Sequence, residues 1–210
     1  VAAQVVGFAA ALALGYLLGA IPFGVVVARM VGGTDPRTVG SERTGATNTV
    51  RALGRGWGVA VGLLDVAKGL IAAGIGSLIG GLVGLTPEWV AAGGCVAAVT
   101  GHVRSVFIGF RGGRGVATAA GGFLVLVPIA LLIVIPIIGL VVAVTRYVSL
   151  GSIIGAISAP VVVAALYANG QASGADVAYA ALVGAIVVLA HADNIARLRA
   201  GTERRIGTPR

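Results

Sequence analysis

Apolar stretches dominate the chain, at about 5–28, 57–83, 88–103, 116–145, 148–168 and 175–190. Each is near or above the ~18 residues that read as a membrane-spanning helix. Polar, arginine-bearing connectors separate them. The N-terminal run is too long for the core of a secretory signal, and further spans follow it. The fourth run has about 30 residues and would extend about 45 Å as one helix, against a hydrocarbon core of about 30 Å. Pro128 and Pro136 interrupt it, and proline is a natural helix breaker. The pattern predicts an all-α, polytopic integral membrane helix bundle, as a single membrane-embedded domain over residues 1–210.

Composition agrees. Of 210 residues 58% are hydrophobic and 10% charged, against about 25% charged in ordinary soluble domains, and the mean hydropathy is +1.03. Thirty-five glycines suit close helix packing. The lone Cys95 has no partner for an intrachain disulfide, and no Cys/His cluster suggests a metal. It reads as a small packed hydrophobe.

Charge sets the topology. The net charge of +8 would suggest nucleic acid in a soluble protein; here it marks a cytoplasmic face and groups for phosphate. If 116–145 crosses twice there are seven spans. The connectors at 29–56, 104–115 and 146–147 and the tail from 191 then share one side, and every arginine lies there, Arg210 included. The opposite connectors, near 84–88 and 169–175, hold no Lys or Arg. The positive-inside rule makes the arginine side cytoplasmic, with the N-terminus outside and the C-terminus inside. Six spans would turn Arg146 and the basic tail outward.

Three polar segments fall on that cytoplasmic side. In GSERTGATNTVR, residues 40–51, Gly40 and Gly45 permit unusual backbone angles. Ser41, Thr44, Thr47 and Asn48 supply hydrogen-bond groups, and Arg43 and Arg51 supply charge, a set that suits a phosphate. An ordinary connector with a capped helix start at Thr47 or Asn48 accounts for the same residues. In FRGGRGVAT, residues 110–118, Arg111 and Arg114 flank Gly112 and Gly113 ahead of an apolar run. That is an anion site by backbone and dipole, though not a P-loop by spacing; a basic anchor with flexible glycines is the plainer alternative. In HADNIARLRAGTERRIG, residues 191–207, His191, Asn194 and Arg197 are three apart and share a helix face. Together they could bind a phosphate and orient a hydroxyl, or form a basic surface tail. Asp65 and Lys68 lie one turn apart inside the second span, as a mutual pair or as groups lining a wet cavity. Asp65 is about 12 Å along the helix from Trp57. His102 reads as structural.

Together the three segments resemble the bacterial acyl-phosphate:glycerol-3-phosphate acyltransferases, the PlsY family. Its first motif, near GSGNxGATNxxR, is matched by Gly40-Ser41, Gly45-Ala46-Thr47-Asn48 and Arg51. Its second, near GHxxPVFxxFKGGKGVAT, is matched by Gly101-His102, Val106-Phe107, Phe110, Gly112-Gly113 and residues 115–118. Its third, near HRENIxRLxxGTExxI, is matched by His191, Asn194-Ile195, Arg197-Leu198, Gly201-Thr202-Glu203 and Ile206. Residues 21–24 (IPFG), 64–69 (LDVAKG) and 147–153 (YVSLGSI) also look familial.

The resemblance implies a seven-span enzyme of the bacterial inner membrane, its active site facing the cytoplasm. It would move a fatty acyl group from acyl phosphate to the 1-hydroxyl of glycerol 3-phosphate, giving lysophosphatidate and phosphate. Neither cofactor, metal nor nucleic acid is implied. Acyl-CoA is not the implied donor, and Phe107 and Ala196 stand where the HxxxxD signature of acyl-CoA enzymes would need Asp. By motif match Ser41, Arg51, Arg114, His191 and Asn194 surround the substrates. Arg51 and Arg114 would hold phosphate, aided by Gly45, Thr47, Asn48, Lys68, Arg111, Gly112, Gly113 and Arg197. Ser41 and Asn194 would hydrogen-bond the substrates or the developing oxyanion. His191 would orient the nucleophile or take its proton, a task a substrate phosphate could also do.

Glu42-Arg43 replace the family's Gly-Asn, Ser105 its proline, Arg111 and Arg114 its lysines, and Ala192-Asp193 its Arg-Glu. A transporter or binding protein for an anionic phosphorylated solute is the rival from another class. It would need polar residues along a membrane path, where only Asp65 and Lys68 qualify. A metal-dependent phosphotransferase would need clustered carboxylates, and the seven acids are scattered. A purely structural basic membrane protein leaves the three segments without a purpose.

Overall fold

The computed structural model describes residues 1–207, so Arg210 of the basic tail lies outside the described residues. Every regular element among the described residues is helical. The chain forms two compact units, Val1–Leu126 and Val127–Arg210. The first holds α1 (Ala2–Ala20), α2 (Phe23–Met30), α3 (Ala46–Leu53), α4 (Arg55–Leu82), α5 (Pro87–Val103) and α6 (Val116–Leu126). The second holds α7 (Pro128–Thr145), α8 (Val148–Ala168), α9 (Gly174–Ala190) and α10 (Ala192–Arg199).

Among the described residues five segments are long and apolar enough to cross a membrane: α1, α4, α7, α8, and α5 with its continuation to Ile108. The pair α9 and α10, bent by 56°, makes a sixth when taken together. The remaining apolar helix, α6, has 11 residues and reaches about 16 Å, half the hydrocarbon thickness.

Two breaks decide these lengths. The run 116–145 divides at Val127, whose backbone (φ −147°, ψ 70°) leaves the helical region, and Pro128 opens α7. Proline is at home at a first helical position, where its missing N–H would have had no partner. Pro136 sits inside α7 without ending it. The run 5–28, expected as one stretch, is broken as well. Pro22 separates α1 from α2. The carbonyls this exposes are bonded by distant side chains. Ser105 Oγ donates to the Ala20 carbonyl (2.5 Å), and Lys68 Nζ donates to that of Ile21 (3.1 Å).

Glycines set the packing of the first unit. A Cβ on Gly15 or Gly19 of α1 would collide with the carbonyls of Gly94 and Ala98 in α5. One on Gly69 of α4 would strike the Thr118 carbonyl of α6, and one on Gly121 of α6 that of Val66. Backbone therefore rests on backbone, the arrangement that gains most from dispersion where lipid removes the hydrophobic drive. The second unit is built similarly: Gly155 of α8 faces Ile138 of α7, and Gly184 of α9 faces the Ala156 carbonyl.

Candidate functional site

The first motif forms a loop closed by one side chain. Asn48 is 2% exposed. Its amide nitrogen lies 2.6, 3.1 and 2.9 Å from the carbonyls of Pro36, Val39 and Arg43, and its oxygen accepts from the Ser41 N–H at 3.1 Å. Asn48 thus spends its hydrogen-bonding capacity on shaping the loop that carries Ser41. At the loop's start Asp35 and Arg37 pair at 2.6 Å, and hydrogen bonding from Arg37 holds the Asp35 carboxyl below its usual value. Gly40 (φ 58°) and Glu42 (φ 56°) are both left-handed. Helix α3 starts at Ala46 with Gly45 as its N-cap, rather than at a capping Thr47 or Asn48. Thr47 is exposed, and Arg51 is half-buried in the last turn, where cationic charge complements the helix dipole.

The second motif folds back on the end of α5. The N–H groups of Gly112 and Gly113 donate to the carbonyls of Val103 (3.1 Å) and His102 (3.0 Å). A Cβ on Gly112 would strike the His102 carbonyl, and one on Gly113 the His102 ring. These glycines are therefore required by close approach, and their N–H groups are engaged within the protein. Arg111 is exposed and Arg114 half-buried, directly ahead of α6.

Behind this loop lies a buried charged cluster. Lys68 Nζ is 2.9 Å from Asp65 Oδ1, and His102 Nδ1 is 3.4 Å from the same oxygen. Exposures are 1% for Lys68, 2% for Asp65 and 6% for His102. The ammonium also stands 5.6 Å from the Phe23 ring centroid. Lys68 is committed to Asp65 and the α1–α2 break, while His102 links Asp65 to Gly113. The helices that follow the two loops both rest on α4: Gly58 and Gly62 touch α3, and Gly69 touches α6, a span of about 16 Å along the helix.

The third motif lies in the second unit, at the α9–α10 bend. His191 is 2% exposed. Its Nδ1 lies 2.7 Å from the Val187 carbonyl; a carbonyl can only accept, so this nitrogen carries a proton. Asn194 Nδ2 donates to Glu203 Oε1 (2.7 Å), Ser149 Oγ to the same oxygen (2.8 Å), and Arg197 Nε to Oε2 (2.8 Å). Arg197 also meets Asp193 at 3.3 Å. Burial alone would raise the Glu203 carboxyl; the bonds from Arg197, Ser149 and Asn194 outweigh it and hold the group below its usual value. Neither Glu203 nor Ser149 stood out in the sequence as a site residue. The available signals were the matches to the family, Glu203 in the third motif and Ser149 within residues 147–153, and an acid amid Arg197, Arg199, Arg204 and Arg205.

The structure thus gathers Ser41, Gly45, Thr47, Asn48, Arg51, Lys68, Arg111, Gly112, Gly113 and Arg114 in the first unit, and His191, Asn194 and Arg197 in the second. Fold and clusters define an integral membrane protein with arginine-bearing, glycine-built polar loops. The sequence profile of the family described as glycerol-3-phosphate acyltransferase matches residues 9–201. The glycerol-3-phosphate acyltransferase of Geobacter sulfurreducens is 44% identical over 193 residues, 92% of this chain and 94% of that protein. That of Thermus thermophilus is 45% identical over 196 residues, 93% of this chain and 94% of that protein. The crystal structure of PlsY (YgiH), an integral membrane glycerol 3-phosphate acyltransferase, in its glycerol 3-phosphate form superposes with TM-score 0.83 at 39% identity, covering 96% of each chain. Its lysophosphatidic acid form gives 0.80 at 36%, again covering 96% of each. The chain belongs to the glycerol-3-phosphate acyltransferase family, and is a membrane acyltransferase.

Proposed function

We propose that the protein transfers a fatty acyl group from acyl phosphate to the 1-hydroxyl of glycerol 3-phosphate, releasing lysophosphatidate and phosphate. The observation that carries this is the pair of arginine-bearing motifs whose helices, α3 and α6, pack on one helix, α4, together with relatives whose solved forms hold glycerol 3-phosphate and lysophosphatidic acid. The hydroxyl oxygen attacks the acyl carbonyl carbon, the carbon–oxygen bond to phosphate breaks, and inorganic phosphate leaves. The anhydride is already activated, so the protein's work is positioning and charge stabilisation. Within the first unit Arg51 and Arg114 hold phosphate, with Arg111, Gly45 and Thr47 aiding them; Arg197 is the phosphate-binding group of the second unit. Asn48, Lys68, Gly112 and Gly113 support the loops from behind. Ser41 hydrogen-bonds substrate. The hydroxyl's proton goes to His191 Nε2 or to the departing phosphate.

The chain acts as one domain of the bacterial inner membrane, with seven crossings, the N-terminus outside, and the active site and C-terminus in the cytoplasm. The family profile running through both units supports the single domain. The arginine-free turns between α4 and α5 and between α8 and α9 support the orientation.

The test uses purified protein in lipid, with palmitoyl phosphate and labelled glycerol 3-phosphate. Lysophosphatidate should form from palmitoyl phosphate and not from palmitoyl-CoA. Arg51→Ala and Arg114→Ala should each lower kcat/KM by about 100-fold or more in folded protein, as lost charge-assisted phosphate contacts do. Near-normal turnover in both variants would sink the phosphate role. Uptake of glycerol 3-phosphate into vesicles without product would favour a transporter.

A further inference from the structure

Asn194 is 2% exposed, and its two amide atoms meet different fates. The nitrogen donates to Glu203. The oxygen is buried and accepts no hydrogen bond among the described residues. Which atom faces Glu203 follows from chemistry. The carboxylate already receives Ser149 and Arg197, and an ionised carboxylate can only accept. The amide therefore turns its NH2 to Glu203 and its carbonyl away. A buried acceptor left unpaired is costly, and such a group asks for a partner outside the protein.

We propose that Glu203 is a positioning residue that fixes the amide of Asn194 with its oxygen turned away from the carboxylate, so that Asn194 accepts a hydrogen bond from the attacking hydroxyl of glycerol 3-phosphate. This rests on the acyltransfer reading above. The polarity selects the ligand group. Phosphate oxygens and a developing oxyanion are themselves acceptors and would be repelled by Oδ1; a hydroxyl O–H is drawn to it. A bond to that hydroxyl orients its lone pair for attack.

The test exchanges the two groups in the full chain. Asn194→Asp alone sets two carboxylates face to face and should lower kcat/KM by about 100-fold. Combining Asn194→Asp with Glu203→Gln reverses the internal bond: the new amide donates, and the carboxylate at 194 keeps one oxygen turned away from it. This pair should recover at least about tenfold over Asn194→Asp alone. A double variant no more active than Asn194→Asp, with an unfolding temperature like the parent's, overturns the proposal, because the NH2 was then what the substrate needed. A second arm reads binding and does not depend on the double variant folding. The parent should bind glycerol 3-phosphate about tenfold more tightly than 2-hydroxypropyl phosphate, which lacks the attacking hydroxyl. Asn194→Ala should erase that preference. If the preference survives in Asn194→Ala, or is missing in the parent, the proposal fails. Absence of acyl transfer in the parent, with the preference intact, would instead overturn the reaction and leave the role of Asn194 standing.

Discussion

At the scale of single residues, the consequential departure from the family pattern is Glu42. It occupies a left-handed conformation (φ 56°) with its side chain exposed. Such a conformation costs an L-residue roughly 1–2 kcal/mol, and the family's glycine escapes it. Glu42→Gly should therefore stabilise the protein by about 1 kcal/mol, less a few tenths for the freer unfolded chain. It should also lower the KM for glycerol 3-phosphate, since a carboxylate leaves a loop proposed to hold phosphate. Thermal unfolding and steady-state kinetics check both; unchanged stability would mean the loop relaxes around the glutamate. Glu203 gives a pH prediction. Its folded pKa lies below the ordinary carboxylate value, about 4.3. The stability it contributes is therefore fully present above that value and is lost as pH falls through the folded one. Unfolding temperature should hold from pH 7 to about 4.5 and decline below. Glu203→Gln should flatten that part of the decline.

At the scale of elements, α4 carries the burden. Its Asp65 meets both Lys68, one turn on, and His102 of α5, and Lys68 reaches the break between α1 and α2. Removing one partner, as in Lys68→Met, leaves an uncompensated buried charge and should cost about 3–5 kcal/mol. The apolar double variant Asp65→Leu with Lys68→Met should recover most of that stability. Activity should not return with it, because Gly113 still rests on a His102 that has lost its carboxylate. Guanidinium or thermal denaturation beside an activity assay separates the two outcomes. The Asp65–Lys68 pair was legible from spacing alone. The third partner was not: His102 lies far along the sequence from Lys68, on another helix, and only folding joins them. The helix break at Pro22 went unread because apolar character continues across it, while the bonds that make it tolerable come from Lys68 and Ser105. Helix α6 shows the same limit, since hydropathy marks where a segment is greasy and not how much of a bilayer it fills. The motif residues were legible as a set, but Asn48's task was not, because its partners are carbonyls that no sequence pattern displays.

At the scale of the whole molecule, arginine placement and helix length together frame the topology. Single cysteines at Thr86 and Gln171, in a background with Cys95→Ser, should be labelled by an impermeant reagent from outside intact cells. Cysteines at Arg43 and Arg205 should be labelled only after the membrane is opened. Labelling of Arg43 and Gln171 positions from the same side would overturn the seven-crossing orientation.

The left-handed glutamate also has a genetic corollary. Glycine and glutamate codons differ by a single second-base transition, so position 42 lies one mutational step from relief. In cells that depend on this gene for growth near the protein's thermal limit, revertants at codon 42 should be among the first to spread.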